Sequence, residues 1–494
     1  MNTRSEVDQP VYPHRWRALA VTQLAGFMSL LDVSIVTVAL PSIRQSLDAS
    51  VAQVQWVVSG YALAFGLVLV AGGRLGDALG RRRMFLVALT GFVLTSALCG
   101  AAPSAELLAA ARLLQGVAAG MLTPQNSGLI QVLFRGPERG KAFGVFSATV
   151  GLATAVGPVL GGLILTIAGG PEGWRWIFYV NVPIGLIALV AAARLVPSRQ
   201  RTGQRVTSQI DVVGVVLLGA GVLCFLLPLV QVEDGGLGRL WWMFGLTPVL
   251  VALFLRWEQR MVRRARAPLL DTRLLSATPG YPTGAALGLV YFIGFSGIWL
   301  VFALYFQGGL GYTPLQSGLA VTPFALGAAV SAAIAGRLVN RYRRWLTMVG
   351  LGAVAVGLAT TALVLYAVPV ASTEWMVLPL LVAGIGGGAV ISPNVTLTLE
   401  CVPPRMGGAA AGALQTGQRI GSAIGTAALA AVFSSVLSHS GRYQSAIAAA
   451  LLTATGSVCL ALLLAVRELH GSRHRVSLAE PDEVEVAQAD IHRS

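Results

Sequence analysis

Two residues of opposite charge, Asp32 and Arg112, lie deep inside long apolar stretches of the sequence. A charge at the centre of a membrane helix costs about 2.5–3.5 kcal/mol even on translocon scales, so such residues need a reason. Asp32 is the only carboxylate so placed, since Asp211 lies at the edge of its stretch. If both stretches cross a membrane, the two charges lie roughly 12 and 10 Å below its outer surface. We expect them to meet directly or through Gln115, one turn beyond Arg112.

Two interpretations of this pair remain open. In the first, Asp32 carries a proton: desolvation raises the pKa of its carboxyl group and Arg112 lowers it, so small rearrangements switch it between protonated and ionised forms. In the second, the pair is a permanent ion pair that ties two helices together, as buried pairs often do. We favour the proton carrier, because the sequence offers no other acid at that depth for coupling protons.

The elements that must position these residues are membrane helices. Of the 494 residues, 55% are apolar and 11% are charged, against roughly 25% charged in a soluble domain. Stretches of about 20 apolar residues, each able to cross about 30 Å of hydrocarbon, recur along the chain. They predict fourteen spans, at 17–40, 53–73, 84–102, 105–130, 142–168, 176–196, 210–231, 240–257, 280–307, 317–336, 345–368, 375–398, 407–436 and 444–466.

The basic residues indicate which way the spans run. With the N-terminus in the cytoplasm, 29 of the 35 Lys and Arg residues fall in inner segments and four in outer loops, leaving Arg112 and Arg419 within spans. Positive charge marks cytoplasmic loops, so both termini are predicted to be cytoplasmic. The net charge of +14 is then a consequence of topology and does not indicate nucleic-acid binding. The first span reads as an anchor, since no small-residue cleavage site follows it.

An internal repeat divides the predicted spans into two sets of six. The segment 73–83, GRLGDALGRRR, returns in degraded form at 336–344, and the glycines of 157–162, GPVLGG, are matched by glycines at 417, 421 and 425. Both pairs are about 263 residues apart. Repeats of this kind, with a site at their interface, are common in secondary transporters. The simplest explanation for the glycines themselves is close helix packing, which rocking bundles also require.

The predicted fold is therefore an all-α integral membrane protein with fourteen transmembrane helices, in two pseudo-symmetric six-helix bundles plus two inserted helices. We divide the chain into a cytoplasmic tail (1–16), an N-terminal bundle (17–196), a linker with two extra helices (197–279), a C-terminal bundle (280–466) and a second cytoplasmic tail (467–494). The four cysteines are widely spaced and the five histidines lie in loops or tails, so we expect no metal or cofactor. We expect a monomer.

Five motifs in order resemble the major facilitator superfamily. They are GRLGDALGRRR (73–83), ARLLQG (111–116), GPVLGG (157–162), and the segments LDVSIVTVALP (31–41) and WRWIFYVNVP (174–183), which look like the fourteen-helix drug:proton antiporter branch. The resemblance covers nearly the whole chain. It implies export of drugs, dyes or antibiotics from a bacterial inner membrane in exchange for protons. The single lysine and abundant alanine and glycine also suggest a high-GC bacterium.

The resemblance also implies that the 73–83 segment ties the two halves together in the outward-open state. Its conformational residues are Gly73, Asp77, Gly80, Arg81 and Arg82, with Gly157, Pro158, Gly161 and Gly162 as the helix-5 set. Without the resemblance, the charged residues of 73–83 are equally well explained as a solvated loop. The sequence departs from the branch in three places: Thr37 replaces the common Asn, Gln418 and Arg419 stand in reversed order, and the second half has no membrane acid.

The substrate pocket is predicted from inward-facing aromatic and amide side chains, although Trp and Tyr near span ends are more often interface anchors. The set is Trp56, Tyr61, Gln115, Asn126, Phe295, Trp299, Tyr305, Gln307, Asn394 and Gln415. Arg419 either attracts an anionic group or caps helix carbonyls, and the sequence favours neither.

Three other functions compete with drug efflux. An ATP-driven pump is excluded, because the sole lysine, Lys141, lacks the glycine and Ser/Thr spacing of a phosphate-binding loop. A polytopic membrane enzyme is disfavoured by short, arginine-rich loops without clustered acids or histidines. A narrow-range metabolite exporter or a nutrient permease of the same superfamily remains the main alternative.

Overall fold

The computed structural model describes residues 12–197, 211–231, 235–264, 268–276, 278–367, 373–403 and 406–491, with side chains described as far as 469. Every regular element within these ranges is a helix. The first half contains α1 (Arg15–Ser46), α2 (Val51–Leu79), α3 (Arg81–Ala101), α4 (Ala105–Leu133), α5 (Gly136–Ala168), α6 (Arg175–Tyr179) and α7 (Asn181–Leu195). Between the halves lie α8 (Val212–Val230), α9 (Gly236–Arg239), α10 (Trp241–Arg263) and α11 (Arg273–Ser276).

The second half begins with α12 (Tyr281–Ala303), which continues as a π-helix (Leu304–Gly309). It goes on through α13 (Pro314–Ala367), a 3₁₀ turn (Thr373–Met376) that leads into α14 (Val377–Thr398), then α15 (Gly407–Ser440) and α16 (Tyr443–Ile491). Eleven helices in the described ranges are long and apolar enough to cross a membrane. One of them, Leu315–Ala367, contains two predicted spans.

The structure therefore confirms an all-helical membrane protein, whereas the predicted number of fourteen spans is not confirmed. The helices at the predicted spans 142–168 and 240–257 are not among the eleven. Predicted loops also proved partly helical: Gly73 and Asp77 belong to α2, and α16 continues into the predicted C-terminal tail. Apolar periodicity locates the hydrocarbon segment of a helix, whereas the backbone helix continues beyond it wherever its hydrogen bonds continue.

Local sequence signals fix several helix ends. Ser50 and Gln53 form a capping box at the start of α2, with the Ser50 hydroxyl accepting from Gln53 N at 3.2 Å and the Gln53 side chain accepting from Ser50 N at 2.8 Å. Between α2 and α3, Gly80 has φ +103°, which a residue with a side chain adopts only under strain. These signals turn the chain sharply at both ends of α2.

Corresponding helices of the two halves pack in corresponding ways. In the first half α1 packs on α5, and in the second half α12 packs on α15. Across the halves, α2 contacts α15 and α5 contacts α13. The inserted helices α8 and α10 pack on each other, and α8 also contacts α2 and α15 through a cluster that includes Leu63, Val222 and Leu226.

Candidate functional site

The interior of the first half contains a fully enclosed ion pair. Arg112, on α4, donates from Nη1 to Oδ2 of Asp32, on α1, and both side chains are at most 1% exposed. Arg112 Nε donates to the Val57 carbonyl at 3.0 Å. The Arg112 guanidinium lies over the Tyr61 ring, 4.1 Å from its centroid. Each charge is thus held by its opposite and by polar or aromatic groups, as a buried pair requires.

Amide and hydroxyl side chains complete this Asp32 network. Gln115 Nε2 donates to Asp32 Oδ1 at 3.2 Å and to the Ser96 hydroxyl at 2.7 Å, while its Oε1 accepts from Arg112 at 2.7 Å. Asn181, the first residue of α7, donates to Asp32 Oδ1 at 3.1 Å. The carboxylate therefore links α1 to α4 and α7, and Gln115 extends the network to Ser96 on α3.

The burial of this network limits its chemistry. Asp32, Gln115 and Ser96 are 0% exposed, so a proton can reach the carboxylate only when the surrounding helices part. Protonation would remove the charge that Arg112 and the amides are arranged to hold. If Asp32 takes up a proton, uptake and helix rearrangement must depend on each other, whereas a purely structural pair would stay closed.

At the end of the molecule that the charge pattern predicts to be cytoplasmic, Asp77 connects the two halves. It sits near the end of α2 and accepts hydrogen bonds from the backbone N–H groups of Gly408, at 3.1 Å, and Ala409, at 3.0 Å. These belong to the first turn of α15, which has no side-chain cap of its own. A carboxylate is well suited to the partial positive charge of a helix N-terminus. Arg81 donates to the same carboxylate at 2.8 Å, and we call this set the cytoplasmic contact.

Three other residues of the 73–83 segment have different surroundings. Arg82 donates to the Ala193 carbonyl of α7, within its own half. A methyl group on Gly73 would collide with the Gly408 carbonyl. Gly80 has open space around it, so its requirement is conformational.

The second copy of the segment makes a parallel contact on the other side. Asn340, at the position of Asp77, donates to the Pro137 carbonyl in the first turn of α5 at 3.3 Å. Gly336 packs its backbone on Gly140 and Gly144 of α5. The α5 helix likewise starts without a side-chain cap. The repeat in sequence is therefore a repeat in space, with an amide in place of the carboxylate.

The glycines of the helix-5 motif divide into two groups. Gly157 and Gly161 lie against α1, where an added methyl group would meet Ser34 and Ile35. Gly162 has nothing within 4 Å. The side chain of Pro158 lies outside the described residues. The motif thus brings α5 close to the helix that carries Asp32.

Between the two halves lies a small cavity with an aromatic wall. Phe295 and Trp299 of α12 and Phe324 of α13 form that wall, and Ser147 and Gly151 of α5 face it from the first half. Trp299 and Phe324 have their ring centroids 5.2 Å apart at an interplanar angle of 85°. The Trp299 indole N–H and the Ser147 hydroxyl are buried without a partner among the described residues. Two polar groups on an apolar wall suit a small aromatic molecule.

The remaining predicted pocket residues are dispersed. Tyr61 and Gln115 belong to the Asp32 network, and Gln415 donates to the Ser127 hydroxyl of α4 at 3.1 Å. The Asn394 side chain accepts a hydrogen bond from Arg344 at 2.9 Å and donates one to the Gly284 carbonyl at 2.9 Å. The other four lie apart from the cavity: Trp56 beside α8, Asn126 buried near Gly26, and Tyr305 and Gln307 in the π-helix.

Sequence reasoning missed three features. Asn181 and Ser96 were not selected for the Asp32 network, and Phe324 was not selected for the cavity. The Asn in the 174–183 motif was a usable signal for Asn181, but nothing in a run of apolar residues singles out Phe324. A second buried acid was also missed: Glu258, on α10, is 0% exposed, contacts Asp211 and accepts from Leu270 N at 3.2 Å.

Comparison with known proteins identifies close relatives in sequence. The family model of the Major Facilitator Superfamily matches residues 23–275 and 284–487. A protein of Streptomyces coelicolor described as a probable actinorhodin transporter is 37% identical over 434 residues, covering 87% of this chain and 74% of that protein. The puromycin resistance protein of Streptomyces alboniger is 37% identical, covering 84% and 81%. The tetracenomycin C resistance and export protein of Streptomyces glaucescens is 31% identical, covering 85% and 76%.

Solved structures share the fold at low identity. The human organic anion transporter MFSD10 superposes with a TM-score of 0.67 at 16% identity, covering 92% of this chain and 100% of that one. The proton:xylose symporter XylE gives 0.66 at 13% identity, covering 92% and 95%. At these identities the likeness concerns the fold alone.

Proposed function

This chain belongs to the Major Facilitator Superfamily and acts in drug or antibiotic efflux, and on that premise we propose that it exchanges an outgoing drug-like molecule for incoming protons, with Asp32 as the proton carrier. It is a multi-pass membrane protein, and its family and relatives are transporters. The observation that carries the proposal is the enclosed Asp32 network. Its carboxylate accepts hydrogen bonds from three side chains on two other helices, α4 and α7, and is shut off from solvent.

The proposed cycle alternates access to the space between the halves. With the cytoplasmic contact formed, the two halves are held together at their cytoplasmic ends. Opening on the outer side would let water reach Asp32, whose protonation releases Arg112 and loosens the packing of α1 on α4. Closure outside and opening inside would return the proton to the cytoplasm. Substrate would use the aromatic cavity, which both halves line.

We propose the finer topology from the sequence. Fourteen spans, with 17–196 and 280–466 as the two bundles and the helices of 197–279 inserted between them, would put both tails in the cytoplasm of a bacterial cell. The charge distribution supports this arrangement. The position of α8 against both α2 and α15 supports an insertion that contacts both bundles. We also propose a monomer.

The experiment is proton release in inverted membrane vesicles. Vesicles containing the wild-type protein are acidified inside, and candidate dyes and antibiotics are added while a pH-sensitive fluorophore reports proton escape. Substrate should trigger escape in the wild type and not in Asp32→Asn. The matched control is Asp48→Asn, the same change at a residue directly after α1, which has φ +46° and tolerates Asn.

The outcome separates the two interpretations of Asp32. If Asp32→Asn keeps substrate-induced proton escape at the wild-type rate, Asp32 is a structural partner of Arg112 and the carrier lies elsewhere. If no drug-like compound triggers escape but a single metabolite does, the narrow-range exporter is correct.

A further inference from the structure

Arg419 lies in the middle of the membrane. It follows Gly407, the first residue of α15, by twelve positions, roughly 18 Å at 1.5 Å per residue. The first turn of α15 is at the cytoplasmic end, where it meets Asp77. Arg419 is therefore about halfway across a hydrocarbon layer of about 30 Å, where a cation is expensive.

Unlike three other arginines with little exposed surface, Arg419 has no acidic partner among the described residues. Arg112 is paired with Asp32, Arg81 with Asp77, and Arg344 with Glu468. Arg419 makes no hydrogen bond or ion pair with any described residue. Its guanidinium lies over the ring of Phe65 on α2, whose centroid is 4.3 Å away. Among the described residues it caps no helix carbonyl, which was one of the two interpretations from sequence.

The Arg419 side chain faces the space between the halves. Gln415 lies one turn earlier on the same face of α15 and bonds to Ser127 of α4. The adjacent face of α15 is held to α12 by a bond of 2.6 Å between the hydroxyls of Ser422 and Ser296. Ser296 follows Phe295 of the aromatic cavity, so Arg419 and the cavity lie at similar levels. Arg419 is only partly buried.

We propose that Arg419 binds an anionic group, a carboxylate or an ionised phenol, of an aromatic substrate whose rings lie against Phe295, Trp299 and Phe324. The inference rests on the proposed efflux function and specifies the charge class of its substrate. A guanidinium presents several N–H donors in a planar fork that suits such oxygens. An unpaired cation in a low-dielectric space attracts an anion strongly and repels a cation.

The test compares two dyes with the same xanthene skeleton and opposite charge, fluorescein and rhodamine 123. Their binding to the purified full-length protein is measured by fluorescence anisotropy in detergent at pH 7.5. The wild type should bind fluorescein more tightly than rhodamine 123. Arg419→Gln should weaken fluorescein binding by about tenfold or more, which corresponds to about 1.4 kcal/mol, and leave rhodamine binding unchanged or tighter. Arg419→Lys, which keeps the charge, should lie between the two.

Three results would overturn the anion site. They are a wild type that does not bind fluorescein, a wild type that binds rhodamine 123 at least as tightly, and an Arg419→Gln variant that weakens both dyes equally. Size-exclusion chromatography shows whether each variant is monodisperse. If Arg419→Gln is not monodisperse, the test rests on the preference of the wild type for fluorescein over rhodamine 123 and on the dye affinities of Arg419→Lys.

Transport in vesicles distinguishes this failure from failure of the proposed function. Selective fluorescein binding without gradient-driven movement of any dye would support the anion site and contradict proton-coupled efflux. Gradient-driven movement of fluorescein that is unaffected by Arg419→Gln would support efflux and contradict the anion site.

Discussion

The two halves make the same cytoplasmic contact with different chemistry. Gly73 of α2 rests on Gly408 of α15, and Gly336 of α13 rests on Gly140 of α5. On one side a carboxylate, Asp77, receives two backbone N–H groups. On the other side an amide, Asn340, gives one hydrogen bond. The backbone geometry of the repeat has been kept while the charge is found on one side only.

The same asymmetry holds in the interior. The first half carries the Asp32 network, whereas the second half contributes an aromatic wall. Under the proposed function, a common scaffold is divided between two tasks, proton handling in the first half and substrate contact in the second. Four changes would break or sharpen this division.

The largest effect is expected for Arg112→Leu. It leaves Asp32 buried without its cation, and removing one partner of a buried pair typically costs about 3–5 kcal/mol. Thermal unfolding in detergent should show the loss, and proton escape should stop. The double variant Asp32→Asn, Arg112→Leu should regain much of the stability without regaining transport. Trp299→Leu, in the second half, should alter dye affinity while leaving proton coupling intact; loss of coupling there would contradict the division.

Next in size is Asp77→Asn. Hydrogen bonds to a charged group contribute about 1.5–3 kcal/mol each when buried, so the closed cytoplasmic face should lose about tenfold or more in population. Dye efflux from whole cells should fall accordingly. The mirror change Asn340→Ala removes one neutral bond and should reduce efflux only a few-fold. Equal losses from the two variants would show that the charge is unimportant.

Gly73→Ala and Gly336→Ala should reduce dye export to similar extents, less than Asp77→Asn does. In both, the new methyl group meets backbone of the opposite half, and overpacking typically costs about 1–3 kcal/mol. The matched control is Gly162→Ala, which has open space and should export dye at the wild-type rate. A harmless Gly336→Ala would mean that the second contact does not form during transport.

The smallest effect is expected for Asn340→Asp, which restores an acid to the second copy. A carboxylate near the first turn of α5 gains about 0.3–1 kcal/mol from the helix dipole but loses the bond to Pro137. The melting temperature should change by only a few degrees, and efflux should stay within about threefold of wild type. A loss as large as that of Asp77→Asn would argue that the amide is specifically required.

The sequence predicted the Asp32–Arg112 pair and the repeated segment more accurately than it predicted the ends of the helices. Asp32 and Arg112 stand out because charge inside an apolar run is rare, and the two copies of the Gly–acid segment stand out because they repeat. The partners across the halves, such as Gly408 and Ala409, carry no side-chain signal, since they act through their backbone. Phe295 and Trp299 of the aromatic wall were predicted, but Phe324 was not. Its sequence context is that of any lipid-facing residue, and only the packing of α13 beside α12 brings it to the wall.

Span counting shows the limit of hydropathy. The predicted span 240–257 lies in α10, which is not among the eleven apolar helices and carries Arg256 and Glu258 near its end. In α5, at the predicted span 142–168, the described residues give only a shorter apolar helix, Val159–Ala168. The prediction of fourteen spans rests on the charge pattern of the loops as well as on hydropathy.

The glycine faces at the two cytoplasmic contacts have a consequence for speed. Where Gly73 meets Gly408 and Gly336 meets Gly140, main chain lies directly on main chain. The glycines themselves have no side chain to change rotamer when the surfaces separate, and the side chains of Val339 and Asn340 are the ones that lie against Gly140. The barrier to opening should then depend on the few polar contacts across the halves, of which Asp77 makes the charged one. A transporter built in this way can be retuned by one substitution at such a contact without redesign of its core.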